Sequence, residues 1–253
     1  MLEGSVMNLY RDEVFSIIDS IHNEEKENIL NAARVMAEQI KKDKLIHIWG
    51  PGGHSNLGAM EIFFRAGGLM HVNAILNTET MLSAGALKSM QVERLPGYGK
   101  IVIEDNGIGE DDLLIVVNAY GINSATIDAA MTAKKYGARV IGISSVEHAN
   151  NTPKNHVARH PSKNNLHDVV DYSIDCKLKV GDACIKLENF EQKIGALSTF
   201  ANAYVLNCMV IETINMLVNE GIKPPVWMSG NQEGGDAWNQ RFMGKFKDQI
   251  RML

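Results

Sequence analysis

One pattern constrains this chain more than any other, and it occurs twice: a short, largely apolar run without alternation, a glycine-bearing turn, and a helix-length segment. Leu45-Ile46-His47-Ile48-Trp49 runs into Gly50-Pro51-Gly52-Gly53, and Leu113-Leu114-Ile115-Val116-Val117 runs into a loop from Asn118 to Asn123 that contains Gly121. A strand with no polar side has both faces covered. Helices predicted over about Ser55 to Ala66 and Ser124 to Tyr136, closed by Gly67-Gly68 and Gly137, provide that cover. The expected fold is a three-layer α-β-α sandwich around a mainly parallel sheet.

The remaining chain fits this frame. Leu9 to Lys42 has helical spacing, with a possible junction at Asn23-Glu24-Glu25. Leu69 to Leu76, Arg139 to Ile143 and Tyr172 to Cys176 read as strands, and an apolar helix is expected from Gly195 to Glu220. A last short helix is expected from near Asp236. About Ser145 to Asn165 is polar and aperiodic, which in a compact domain favours a functional lid over a plain connector. At 253 residues the chain suits one domain, with a helical extension over about 1–42 and a helix and tail over about 195–253.

Charge and cysteines narrow the partners. A net charge of −5 argues against nucleic acid and anionic membranes. Cys176, Cys184 and Cys208 have no C-x-x-C spacing, so neither a disulfide framework nor a zinc site is expected, and no motif calls for a cofactor. The opening MLEGSVMNLYRDEV has no basic and apolar leader pattern, so a cytoplasmic location is expected. The stretch Ala196 to Val218 is apolar but carries Asn202, Asn207, Glu212 and Asn215, the mark of a core or subunit-interface helix.

Both strand–loop–helix corners open at the carboxyl ends of the strands, where ligands bind in parallel sheets. In the first, Gly52 and Gly53 let backbone approach an anion, His54 reaches it with an imidazole, and Ser55 offers a hydroxyl at a helix N-terminus. In the second, Asn118, Tyr120, Gly121, Asn123 and Ser124 form the corresponding loop. Ordinary turns with helix caps use the same residue types. The first loop lacks the third glycine of a dinucleotide fingerprint and the Gly-Lys-Ser/Thr of a phosphate loop for nucleotides.

IHIWGPGGHSNLGAMEIFF followed by DDLLIVVNAYGINSATIDAAMTAKKYGARVIGIS resembles a SIS (sugar isomerase) domain, over roughly Asn28 to Glu220. The segments GGHS, RAGGL, HPS, VGDA and LST resemble those of a subgroup of single-SIS-domain, phosphosugar isomerase-like proteins, with phosphoheptose isomerases more distant. The resemblance implies a flavodoxin-like sheet and a phosphorylated sugar or amino sugar as ligand. The second loop departs from the family's usual Ser-x-Ser-Gly-x-Ser/Thr, with Asn118 and Tyr120 in place of the first two serines.

An aldose–ketose isomerase carries a proton between adjacent carbons and opens the sugar ring, which takes two acid/base groups. Glu61 lies six residues beyond Ser55, about 9 Å along a helix, and several SIS isomerases are similar in placing a catalytic group on this helix. The competing role for Glu61 is an i,i+4 pair with Arg65. His160, held extended by Pro161 beside Ser162, is a candidate second group with His54, ahead of His156 and His167, while His47 on a strand reads as a core histidine. Ser198 and Thr199 are placed to donate to a ligand or to cap the last long helix. The expected activity is phosphosugar isomerisation through an enediol, with an amino-sugar-phosphate lyase or etherase and a non-catalytic sugar-phosphate sensor as alternatives. Apolar helix surface beyond what one sheet can cover predicts a homodimer or homotetramer.

Overall fold

The centre of the computed structural model, which describes residues 5–253, is a sheet of five parallel strands. These are β1 (Ile46–Trp49), β2 (Val72–Ala74), β3 (Leu113–Val117), β4 (Arg139–Ser144) and β5 (Tyr172–Asp175), in the order β2-β1-β3-β4-β5. Alternate residues of each strand serve opposite layers. Ile46, Ile48, Ile115, Val117, Ile141, Ile143 and Ile174 pack under one set of helices, while Trp49, Leu114, Val116 and Val140 pack under the other. The expected three-layer sandwich is the fold.

The first layer holds α1 (Val6–Glu24), α2 (Lys26–Lys41), α3 (Gly53–Glu61) and α9 (Ser198–Asn219). The expected N-terminal helix is divided at Glu25, within the anticipated junction; residues 1–4 of the expected extension lie outside the described residues. Glu25 is buried, accepts from the Asp175 amide at 3.2 Å and pairs with Lys177 at 2.7 Å, so the break fastens the helix pair to the end of β5. The apolar α9, long and apolar enough to cross a membrane by length and composition, packs here along α2 and α3.

The second layer holds α5 (Tyr98–Asp105), α6 (Ser124–Lys135) and α8 (Leu166–Val169). Here the chain differs from its sequence pattern. Residues 77–112 carry two 3-10 turns, Thr78–Thr80 and Leu82–Ala84, then α4 (Ala86–Glu93) and α5. Of the strand expected over Leu69 to Leu76, only Val72–Ala74 joins the sheet, and Leu69 forms an antiparallel bridge with Val226. The polar stretch after β4 begins with α7 (Val146–Asn151), and a hairpin of β6 (Ala183–Lys186) and β7 (Lys193–Ala196) precedes α9. The chain ends on α10 (Gly235–Phe246), which buries Phe246 against Met70 and Trp227.

Candidate active site

At the first corner, the segment after β2 closes over the loop. The Thr80 carbonyl accepts from the Gly52 amide (3.2 Å), Asn56 Nδ2 (2.7 Å) and the Ser89 hydroxyl (2.8 Å), three donors on one oxygen. This places α4 against the glycines. A Cβ added at Gly52, whose φ is +87°, would lie 2.5 Å from Glu93 Oε2, and one at Gly53 would lie 2.7 Å from Leu82 Cδ1. The positive φ is what calls for glycine at 52, and it leaves the turn lying directly against that carboxylate. The first-turn amides of Gly53, His54 and Ser55 make no hydrogen bond among the described residues, so α3 presents free N–H groups beside Glu93.

Burial raises Glu93 from the ordinary carboxyl value of 4.5 to about 7, with Arg94 opposing the rise. A carboxyl that is half ionised near neutrality serves proton transfer well, since it takes and returns a proton at similar cost. Sequence reading misses this residue because residues 77–112 lack a strong period and the burial of Glu93 depends on docking at Gly52.

Next to it stands a column of rings. His54 and Tyr120 meet edge to face at 5.1 Å, and Tyr120 and His148 lie 4.6 Å apart between ring centroids. His54 Nε2 accepts from the Ala119 amide at 3.3 Å, so neutral His54 carries its proton on Nδ1. Burial lowers the pKa of His54, assisted by His148 and opposed by Asp182, and burial likewise lowers that of His148. Both rings are therefore neutral near pH 7. Tyr120 is pushed up to about 12 by burial and by the charges of Asp182 and Glu93, and it stays a phenol. Asp182 closes the group on the far side: its carboxylate accepts from the Leu197 and Ser198 amides at 2.9 and 2.8 Å and from the Ser198 hydroxyl at 2.7 Å.

The other residues singled out from the sequence fall in three places. Ser55 is buried against Gly50 and its hydroxyl has no partner among the described residues, so the expected donor to a ligand faces inward. Asn118, Gly121, Asn123 and Ser124 are buried beneath the stretch after β4. Asn118 Oδ1 accepts from the Gly121 amide at 2.8 Å, and Asn123 bridges to Arg159, whose guanidinium is spent on the carbonyls of Pro153, Thr152 and Ala149 and on Asn165. That stretch is a packed cover on the second loop. His160 belongs to it: Nε2 reaches Asp128 at 3.0 Å and Nδ1 reaches the Ser162 hydroxyl at 2.7 Å, so both ring nitrogens and Ser162 are engaged structurally. Ser198 is held by Asp182, and Thr199 is exposed beside it.

Glu61 sits at the far end of α3. Its carboxylate is 3.9 Å from Arg65 Nη2 and accepts from Asn207 Nδ2 at 3.3 Å, the i,i+4 arrangement that competed with a catalytic role. Helix α3 stops at Glu61, and Phe64 takes a left-handed φ of 52°, turning the chain toward Trp227 and away from the loops. Glu61 and His160 do not join the group formed by Glu93, His54, Tyr120, His148 and Asp182.

Residues 9–145 match the SIS domain, more than half of the chain. The chain belongs to the SIS-domain family. Within it, the chain is 36% identical over 251 residues to a UPF0309 protein of Caldanaerobacter subterraneus subsp. tengcongensis, covering 98% of this chain and 100% of that one. It is 35% identical over 248 residues to a UPF0309 protein of Listeria monocytogenes serotype 4b, covering 98% of each, and so belongs to that narrower family too. Its fold is similar to a phosphoheptose isomerase from Francisella tularensis, with 14% identity, 84% of this chain and 98% of that chain covered, and a TM-score of 0.53. A phosphoheptose isomerase from Neisseria gonorrhoeae gives 13% identity, 84% and 97% coverage, and a TM-score of 0.54. In this SIS domain the match ends within the β4–α7 junction, so Glu93, His54 and Tyr120 lie inside it while His148 and Asp182 lie beyond.

Proposed function

We propose that this SIS domain is a cytoplasmic phosphosugar isomerase that interconverts an aldose and a ketose through an enediol. The observation that carries the reading is the placement of Glu93, a half-buried carboxyl set against Gly52 and the free amides of α3, where desolvation raises it to about 7. Glu93 takes the proton from C2 of the open-chain aldose and returns it to C1. The negative charge that develops on the enediol oxygens meets the Gly53 and His54 amides, whose dipoles are already oriented. Neutral His54, with its proton on Nδ1, is the acid/base for opening the ring, and the Tyr120 phenol donates to a sugar hydroxyl or stacks on the ring.

This arrangement moves the phosphate away from the first loop. A phosphate dianion beside Gly52 would face Glu93, and like charges at that range oppose the ionised form of the base. The reacting carbons suit this corner better than the phosphate does.

The lyase and sensor alternatives share the ligand and differ in the chemistry at C2. The first test is a ligand panel followed by melting temperature, comparing phosphosugars and amino-sugar phosphates with the same sugars unphosphorylated. A ligand at a hundred times its Kd stabilises by about 2.7 kcal/mol. Stabilisation by phosphorylated members only is expected; equal response to both sets, or to neither, overturns the reading.

A further inference from the structure

Residues 94–97 join α4 to α5 and bridge the two strand–loop–helix corners. At one end Glu93 lies against Gly52 of the first loop. At the other, the Gly97 amide donates to Asp128 Oδ2 at 2.5 Å, and a Cβ added at Gly99 would lie 1.9 Å from the Ala125 carbonyl oxygen. Both contacts are made at the starts of the helices that follow β1 and β3. These strands are neighbours in the sheet, and their helices leave to opposite faces. In open parallel sheets that reversal marks the crevice where ligands bind.

Arg94 is the cation on this bridge. Its side chain makes no ion pair and no hydrogen bond among the described residues. It is nevertheless half-buried, and its Nε is sealed from solvent without an acceptor. Holding a guanidinium nitrogen away from water in this way costs free energy that a bound acceptor recovers. The remaining groups of the candidate site supply no positive charge: Glu93 and Asp182 are carboxyls, Tyr120 stays a phenol, and both imidazoles are neutral near pH 7. The charge of Arg94, by contrast, acts on Glu93 itself. Arg94 keeps helical backbone angles at the end of α4, and successive helical residues project about 100° apart, so an anion on Arg94 does not crowd the carboxyl at Gly52.

From this placement we infer that Arg94 takes the phosphate of the sugar whose reacting carbons lie at Glu93. The inference rests on the isomerase reading for the ligand, and it adds the residue that makes the site specific for a phosphorylated sugar. Reach is set by the chain, because the two residues are consecutive and their Cα atoms lie about 3.8 Å apart. The guanidinium fork matches two phosphate oxygens at once, which a lysine ammonium does not. It also offsets phosphate charge that would otherwise oppose ionisation of Glu93.

The test is calorimetric titration of wild type, Arg94→Gln and Arg94→Lys with fructose 6-phosphate and with the other panel members that stabilise the protein. Arg94→Gln removes a buried nitrogen without a partner, so the variant folds, and its melting temperature checks this. Loss of a charged hydrogen-bonded contact weakens phosphosugar binding about 10- to 100-fold in Arg94→Gln. Arg94→Lys keeps the charge without the fork and retains part of the affinity. Wild-type affinity in Arg94→Gln overturns the phosphate assignment and leaves the isomerase reading standing. Equal losses in both variants, accompanied by a fall in melting temperature, make Arg94 a structural residue and overturn the assignment as well. If wild type binds no phosphosugar of the panel, both readings fall.

Discussion

Replacing Glu93 by Gln separates catalysis from stability in a way that few other substitutions here would. In the folded protein the carboxyl titrates near 7, against an ordinary 4.5 in the unfolded chain. Between these values the folded state holds a proton that the unfolded state has lost, so stability falls as pH rises from about 4.5 to about 7 and is level beyond. A difference of that size corresponds to about 3 kcal/mol, the cost of keeping an ionised carboxylate in this site at pH 8. Glu93→Gln removes the charge and keeps the shape. Part of the gain goes to burying the amide, which leaves about 1–3 kcal/mol of added stability at pH 8 and almost none at pH 4.5. For a chain of this length that raises Tm by about 2–4 °C per kcal/mol. Urea unfolding of wild type and variant at fixed protein concentration from pH 4.5 to 9 reads the effect directly. The two curves converge at low pH and separate through neutrality. Parallel curves, or a variant less stable at pH 8, would refute the placement of Glu93 as a desolvated base.

Four further outcomes follow from the same structure. Ser55→Ala leaves phosphosugar affinity within about twofold and raises stability by up to about 1 kcal/mol, since it removes a buried hydroxyl without a partner; a loss of binding measured by calorimetry would return Ser55 to the ligand. Glu61→Gln lowers stability by a few tenths of a kcal/mol and leaves turnover unchanged, as expected of a partly exposed pair with Arg65; a large fall in turnover would contradict this. Asp128→Asn loosens His160 from α6 and costs about 1–2 kcal/mol in denaturant melts, with no effect on the Kd of a bound sugar phosphate. Light scattering at micromolar concentration finds at least a dimer, and Ile211→Asp on the exposed side of α9 reduces it to monomer, whereas a monomeric parent protein would overturn the expectation.

The parallel core was legible because its strands are apolar on both faces and its loops begin with glycines or polar residues; β1, β3 and β4 and the helices after the first two follow from that alone. The division at Glu25 was also visible, as a polar interruption in an otherwise periodic helix. What the pattern did not show was 77–112, where helices of 8 residues start from glycines without side-chain caps and owe their existence to docking, α4 on the first loop and α5 on α6. Glu93 was hidden with them. Glu61 and His160 drew attention through position along a helix and beside a proline. Spacing does not report that α3 turns away at Phe64, or that Asp128 and Ser162 take up both nitrogens of His160. The departure at Tyr120 was readable as a change of residue, and its consequence, a ring held between those of His54 and His148, needed the fold.

The most direct measurement is proton exchange at the sugar itself. Each phosphosugar that stabilises the protein is incubated with it in deuterium oxide at pH 7.5 and followed by proton NMR. An enediol route with Glu93 as the carrier predicts loss of the C2 proton signal of the aldose, or of one C1 proton of the ketose, with wild type. The rate falls by about 10²–10⁴-fold in Glu93→Gln while the ligand still binds. Binding by wild type with no exchange would make the protein a sensor, and exchange that survives in Glu93→Gln would remove Glu93 from the chemistry.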